Sequence, residues 1–317
     1  MVILWIAVAL LLLTILAAYI CYRIVFYAQK QPPLGPDEYD IPSGRIYEPH
    51  RDAMIAWQKQ VRSLPRQDFS ITSFDGLTLW GSYYEHTPGA VTELMFHGYR
   101  GSAERDLCGG VQRAFSLGRN VLVVDQRTAS RSDGHTISFG INECKDCLAW
   151  VDFMVRHFGK DVKIILTGIS MGAATVVMAG GEELPENVVG ILADCGYDSA
   201  ENIIKKCARQ MGLPGDLVYP FIRLSARLFG RFDPNANSPV EAVKKCRLPI
   251  IFFHGESDDF VPCQMSKAVY EACPAPKRLV TVPGAGHGLC YMIESERYLA
   301  EMADFFTENG VSTKVIS

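Results

Sequence analysis

Val162-Lys163-Ile164-Ile165-Leu166, then Gly168-Ile169-Ser170-Met171-Gly172, then the Ala/Val/Met-rich stretch 173–181, decide the reading of this chain. The first run has the composition of a buried strand and the last that of an apolar helix. Between them stands Gly-x-Ser-x-Gly. A strand that turns directly into a helix leaves no room for side chains at the two glycine positions, and the strained backbone pushes the serine oxygen out of the sheet. The following helix aims its positive end at the same spot. The spacing predicts a nucleophile elbow with Ser170 at its tip and Gly168 and Gly172 on either side. Such a pentapeptide arises by chance in roughly one chain in ten of this length, so the surrounding sequence has to support it.

Outward from the elbow, residues 91–96, 121–125, 162–166, 188–193, 250–253 and 279–282 are short apolar runs rich in β-branched residues. Runs that are apolar throughout suit parallel strands buried on both faces. Helical patterns lie between them at 103–117, 143–158, 171–180, 264–273 and 290–306. Ahead of this alternation, 69–74 and 77–84 joined by Asp75-Gly76 read as a hairpin. The expectation is an α/β fold: an eight-stranded, mostly parallel sheet with helices on both faces. Its site should lie beyond the carboxyl ends of the strands. Residues 199–246 are too long for one crossover and carry two helical patterns, 203–211 and 217–229, which suggest a helical lid.

The loops at those strand ends carry the chemistry. Serine becomes a nucleophile only when a base takes its proton, and that base needs a carboxylate to hold its tautomer. His287, in Gly284-Ala285-Gly286-His287-Gly288, follows the last predicted strand, where small neighbours let an imidazole reach the elbow. Asp258, in His254-Gly255-Glu256-Ser257-Asp258-Asp259-Phe260-Val261-Pro262, follows the strand before it; Asp194 and Asp259 are its rivals. His97 and His254 each end a strand just before glycine and read as loop-orienting residues. An oxyanion needs two donors. The Met171 amide, next to the serine, is one. The Tyr99 amide in Phe96-His97-Gly98-Tyr99-Arg100-Gly101 is the other, with Gly98 and Gly101 letting the backbone turn inward.

Together these residues resemble the α/β-hydrolase superfamily, in particular its bacterial serine-aminopeptidase-like and prolyl-oligopeptidase-like members. The resemblance runs from about Phe69 to the C-terminus. It implies Ser170 as nucleophile, His287 as general base, Asp258 as its partner and the Tyr99 and Met171 amides as the oxyanion hole. Asp125-Gln126-Arg127 followed by residues 130–134 also looks like the family's Asp-x-Arg-x-x-Gly-x-Ser loop, but Ala129 and Ser130 occupy the region of its middle glycine. That departure leaves the shape of one pocket wall open.

A chain of 317 residues, 48% hydrophobic and 21% charged, can bury one large core. Its net charge of -4 and lack of a dense basic stripe give no electrostatic reason to expect nucleic acid as a partner. The ten cysteines follow no framework spacing, and Cys144-x-x-Cys147 falls on a predicted helix, so packing explains it better than zinc or redox chemistry. The reaction expected here needs no metal or other cofactor. Residues 2–21 carry no charge and are long enough to cross a bilayer; Met1 is followed at once by Val2-Ile3-Leu4, without the basic start of a cleaved signal. An uncleaved single-span anchor is expected. Arg23 and Lys30 after the span, together with the cysteines, favour the catalytic domain on the cytoplasmic side; export behind a signal anchor is the alternative.

The expected organisation is a transmembrane anchor at 1–26, a linker and N-terminal segment at 27–68 (Pro/Gly/acid-rich over 31–44, a helix over 51–63), and a hydrolase domain at 69–317. The expected function is a membrane-anchored serine hydrolase cleaving a carboxylic ester, or a related acyl bond, of a small-molecule substrate. An apolar stripe on the predicted lid hints at an apolar acyl group. Aminopeptidase, amidase and acyltransferase share the same catalytic groups, with Asp216 and Asp233 the acidic candidates for a substrate amine. A membrane-tethered interaction module without catalysis is the reading from another class. Oligomeric state cannot be read from the chain.

Overall fold

The computed structural model describes residues 1–30 and 34–311; the start of the expected linker, 31–33, and the last six residues lie outside it. Eight strands form one sheet in the order β1-β2-β4-β3-β5-β6-β7-β8. They are β1 (Gln67–Thr72), β2 (Thr78–Tyr84), β3 (Thr92–Phe96), β4 (Asn120–Asp125), β5 (Ile164–Ile169), β6 (Val188–Asp194), β7 (Ile250–Gly255) and β8 (Lys277–Val282). β2 runs antiparallel to both its neighbours, β1 and β4, and every pairing from β4 to β8 is parallel. This is the mostly parallel sheet expected from the alternation, in the α/β-hydrolase fold that the resemblance implied.

Composition follows position in the sheet. β3, β4 and β7 are buried at every residue, because helices cover both faces. β1 is the exposed edge and alternates, with Phe69 and Ile71 half-buried. One face carries α4 (Ile141–Phe158), α5 (Met171–Gly180), α8 (Pro239–Ala242) and α9 (Cys263–Ala272). The other carries α3 (Ala103–Ser116), α10 (Cys290–Ile293) and α11 (Ser295–Glu308). α5 is buried along its whole length, which is why its sequence is apolar all round. Cys144 and Cys147 lie buried in α4 as free thiols that pack.

Several boundaries differ from the sequence reading by a few residues, and two of the differences have a plain physical cause. β5 begins at Ile164, two residues late, and runs on to Ile169, because parallel pairing with β6 continues through Ile169 opposite Asp194. Helical periodicity over 290–306 conceals a break at Glu294 (φ -130°, ψ 58°), which separates α10 from α11.

α2 (Arg51–Ser63) lies on α3, and Trp57 packs its ring over Gly109. The chain before it, from residue 34, is irregular but tied down: Gln58 Nε2 donates to Asp40 O at 2.6 Å, and the Arg62 guanidinium donates to the carbonyls of Gly35, Pro36 and Glu38. The inserted segment holds α6 (Ala200–Gln210), α7 (Gly215–Ser225) and a π-helical turn at Ala226–Gly230.

α1 (Val2–Val25) is exposed over its first two-thirds, but its last turns join the domain core. Ala18, Tyr22 and Phe26 are buried. Phe26 meets Phe139 and Phe232 edge-on, with ring centroids 5.8 and 5.2 Å away. The chain then pairs with 135–137: Ala28 N–H donates to His135 O, and Ile137 N–H to Phe26 O. Phe26→Ala is expected to lower the stability of the full chain in detergent by about 3–5 kcal/mol, read by chemical unfolding. A loss under 1 kcal/mol would mean that this end of α1 is not part of the core.

Candidate active site

β5 ends at the centre of the sheet, and the chain reverses there within one residue. Ser170 has φ 57° and ψ -117°, and its N–H donates to Asp194 O at 2.8 Å. Glycine is required on both sides by contact: a Cβ on Gly168 would lie 2.1 Å from Gly172 O, and one on Gly172 would lie 2.0 Å from Phe96 O. The backbones of β3, β5 and α5 thus touch, and the serine is the residue left projecting.

His287 arrives from the loop after β8. Its Nε2 is 2.9 Å from Ser170 Oγ and its Nδ1 is 2.6 Å from Asp258 Oδ2. Asp258 Oδ1 accepts the amides of Phe260 (2.9 Å) and Val261 (2.7 Å). Burial raises the pKa of this carboxyl, but hydrogen bonds from His254, His287 and the Val261 amide outweigh burial and hold it well below the usual range. An ionised carboxylate only accepts, so His287 Nδ1 carries the proton and Nε2 is left to accept from the serine hydroxyl. This is the arrangement in which an imidazole can remove the serine proton. Of the rivals, Asp194 is buried and its Oδ2 accepts the Tyr298 hydroxyl at 2.9 Å, while Asp259 is exposed beside the cavity.

The loop after β3 brings Gly98 against the serine: a Cβ there would sit 3.5 Å from Ser170 Cβ. Gly98 N–H donates to Asp106 Oδ2, and the neighbouring Gly101 has no room for a side chain because of that carboxylate. Among the described residues, neither the Tyr99 nor the Met171 amide donates a hydrogen bond. Met171 is the first residue of α5, where the amides have no helical partner. Desolvation pushes the buried His97 below its ordinary pKa; its Nδ1–H donates to Gly98 O and its Nε2 accepts Gln126 N–H. The Asp125-Gln126-Arg127 loop therefore braces the Tyr99 loop from behind. Arg127 is held by Asp146 and Asp75, and Ser130, where the resemblance called for glycine, keeps the positive φ of 45°. The loop lines no part of the cavity at Ser170.

That cavity has a volume of about 600 Å³. Three features of the site go beyond the sequence reading. Tyr47, Met54 and Trp57 of the N-terminal segment form one wall, and Tyr47 OH donates to His287 O at 3.0 Å. Cys195, buried and with φ 47°, places Sγ 3.9 Å from His287 Nε2, and burial pushes its thiol well up, which keeps it protonated. His254, read as a loop-orienting residue, touches the acid itself, with Nε2 3.3 Å from Asp258 Oδ2 and 2.8 Å from Val261 O. Among the described residues, none of 199–246 lines the cavity, so the apolar stripe expected on the lid does not form its walls.

Because Asp258 has a folded pKa below its unfolded value of about 3.9, its ionisation stabilises the fold above that pH and ceases to do so as pH falls through the depressed value. The stability difference between parent and Asp258→Asn, measured by urea unfolding in detergent, is expected to shrink as pH is lowered from 6 toward 2. A difference that does not vary with pH would contradict this.

The comparisons agree with this architecture. The model of the alpha/beta hydrolase family matches residues 94–304. The uncharacterized protein YqkD of Bacillus subtilis is 26% identical over 199 residues, 62% of this chain and 65% of that protein's length. Among solved structures, an esterase of Pyrococcus furiosus superposes with a TM-score of 0.66 at 19% identity, over 89% of this chain and 98% of the esterase. A puromycin-hydrolyzing peptidase of Mycobacterium tuberculosis superposes with a TM-score of 0.60 at 16% identity, over 78% of this chain and 40% of the peptidase. With two-thirds of its length matched by the family model and the fold shared with these enzymes, the chain belongs to the α/β-hydrolase family.

Proposed function

We propose that the protein is a serine hydrolase that cleaves a carboxylic ester through an acyl-enzyme and is anchored to a membrane by α1. The observation that carries the reading is the unbroken chain from Ser170 Oγ through His287 to Asp258, at 2.9 and 2.6 Å, on a strained turn. His287 Nε2 takes the hydroxyl proton as Ser170 Oγ bonds to the ester carbonyl carbon. The oxyanion that forms is met by the Tyr99 and Met171 amides. His287, now charged and paired with Asp258, returns the proton to the leaving alkoxide as the ester bond breaks. Water then enters, gives its proton to His287, and releases the acid and Ser170 by the same steps in reverse.

The two carboxylates expected to hold a substrate amine, Asp216 and Asp233, line no part of the cavity and give no support to a peptidase. Asp216 is paired with Lys205 and Arg209, and Asp233 with Arg223 and Arg227. Neither carboxylate is free to receive an ammonium group. The anchor reading rests on α1, 24 residues with a mean hydropathy of 2.7 over its most apolar window and 6% of that window buried. Residues 1–26 are the anchor in this reading, 27–68 join it to the catalytic unit, and that unit faces the cytoplasm.

A fluorophosphonate probe is expected to label the full chain in detergent and not the Ser170→Ala variant. Asp258→Asn should reduce kcat on p-nitrophenyl butyrate by about four orders of magnitude, because the imidazole then takes the wrong tautomer. Labelling that survives Ser170→Ala would remove Ser170 from its role. After extraction of membranes with alkaline carbonate the chain should stay in the pellet, and its release to the supernatant would overturn the anchor.

A further inference from the structure

The inserted helix α7 is apolar on two opposite sides. Tyr219 and Ile222, with Ala226 at the start of the turn that follows, face the core and are buried. The reverse side carries Leu217 and Phe221, continued by Leu228 in the turn that follows, which are 68, 42 and 51% exposed, with Leu224 half-buried on the same stripe. Met211 and Leu213, in the turn before α7, are exposed apolar residues as well. A helix lying between a protein core and water would carry charged or polar residues on its outer side.

α1 identifies what lies there. Its last turns pack beside α7 and the following turn, where Tyr19 meets Phe229 edge-on at 5.3 Å and Tyr22 meets the same ring at 5.8 Å. Arg23 is the first charged side chain of the chain, so the uncharged helix is about 31 Å long, matching a hydrocarbon layer of about 30 Å. Only residues 2–17, about 24 Å of helix, stand clear of the domain before the buried Ala18. The remaining turn and a half, about 7 Å, must enter the layer already packed against the inserted segment. That depth is the one at which amphipathic helices lie in a membrane surface, about 5–10 Å into the boundary. Tyr19 and Tyr22 are then at the level where aromatic side chains concentrate.

Resting on the anchor reading above, we propose that the outer stripe of α7 is embedded in the surface of the bilayer that α1 spans, holding the domain against the membrane. The site comes with it. Tyr99 OH donates to Val25 O at 2.7 Å, and Arg100 Nη2 donates to Ile24 O and Tyr27 O, so the loop beside Ser170 is bonded to the end of the anchor. Ser170 thereby operates next to the headgroup layer, within reach of esters held in that layer.

The test places a reporter on the stripe, in two versions, Leu217→Trp and Phe221→Trp, each in the full chain reconstituted into phosphatidylcholine vesicles. The added emission, relative to the parent, should fall by more than half with lipids carrying a nitroxide at acyl carbon 5 and change little with aqueous iodide. Quenching by iodide and not by the lipid overturns the proposal, as does protection from both, which would mean that protein covers the stripe. Trp5, assessed through Trp5→Phe, reports the anchor separately. If Trp5 is quenched by the lipid and the stripe is not, α7 docking fails and the anchor stands; if neither is quenched, both fall.

Discussion

The close approach of three backbones at the end of β5 is the constraint on which the rest of this structure depends. β3, β5 and β6 pair in parallel and end together, and α5 starts within one residue of β5 with its first turn against Phe96 O. Only glycine fits at 168 and 172, and Ser170 is held at a positive φ that a side chain rarely adopts. Such strain persists only where the surroundings over-determine it. Here they do: the Ser170 amide is bonded to Asp194 O, and α5 is buried on every side. The position of Ser170 Oγ follows from the sheet, and the loops around it have only to bring their groups to a fixed point.

Those loops are themselves braced. Asp258 accepts two amides of its own loop through Oδ1, contacts both His254 and His287 through Oδ2, and has few directions in which to turn. His97 ties the loop after β3 to the one after β4 through two hydrogen bonds. Tyr47 closes the ring by bonding the His287 carbonyl from an N-terminal segment far away in the chain. The residues that touch the serine therefore depend on a surrounding layer of buried polar groups, most of which have partners, as polar groups in an interior require.

A substantial part of this was legible in the chain. Gly168, Ser170, Gly172, Asp258 and His287 could be picked out because each sits in a short pattern with a local physical cause, and because strand order fixes which loops share one end of the sheet. The strand ends were less legible: β5 extends to Ile169 because β6 offers partners there, which no local composition records. Tyr47, Trp57 and Cys195 had no signal, since their importance lies in contacts with residues distant in sequence. His254 looked like a turn residue and proved to touch the acid, a matter of a ring's reach across its own loop.

The inserted segment shows the same division. Its helical periodicity was plain, and its length suggested a lid over the site, yet α7 and the turn after it pack on the end of α1, and the segment leaves the cavity to be walled by other elements, α2, α3 and the chain before them included. By itself the sequence determined the element types, their order, the elbow and the apolar N-terminal helix, because periodicity, glycine placement and the lack of charge are properties of neighbouring residues. Only the tertiary structure decided which elements wall the cavity, which groups brace Asp258 and His287, and that the last turns of α1 are core, because those outcomes depend on which surfaces meet once the chain has closed on itself.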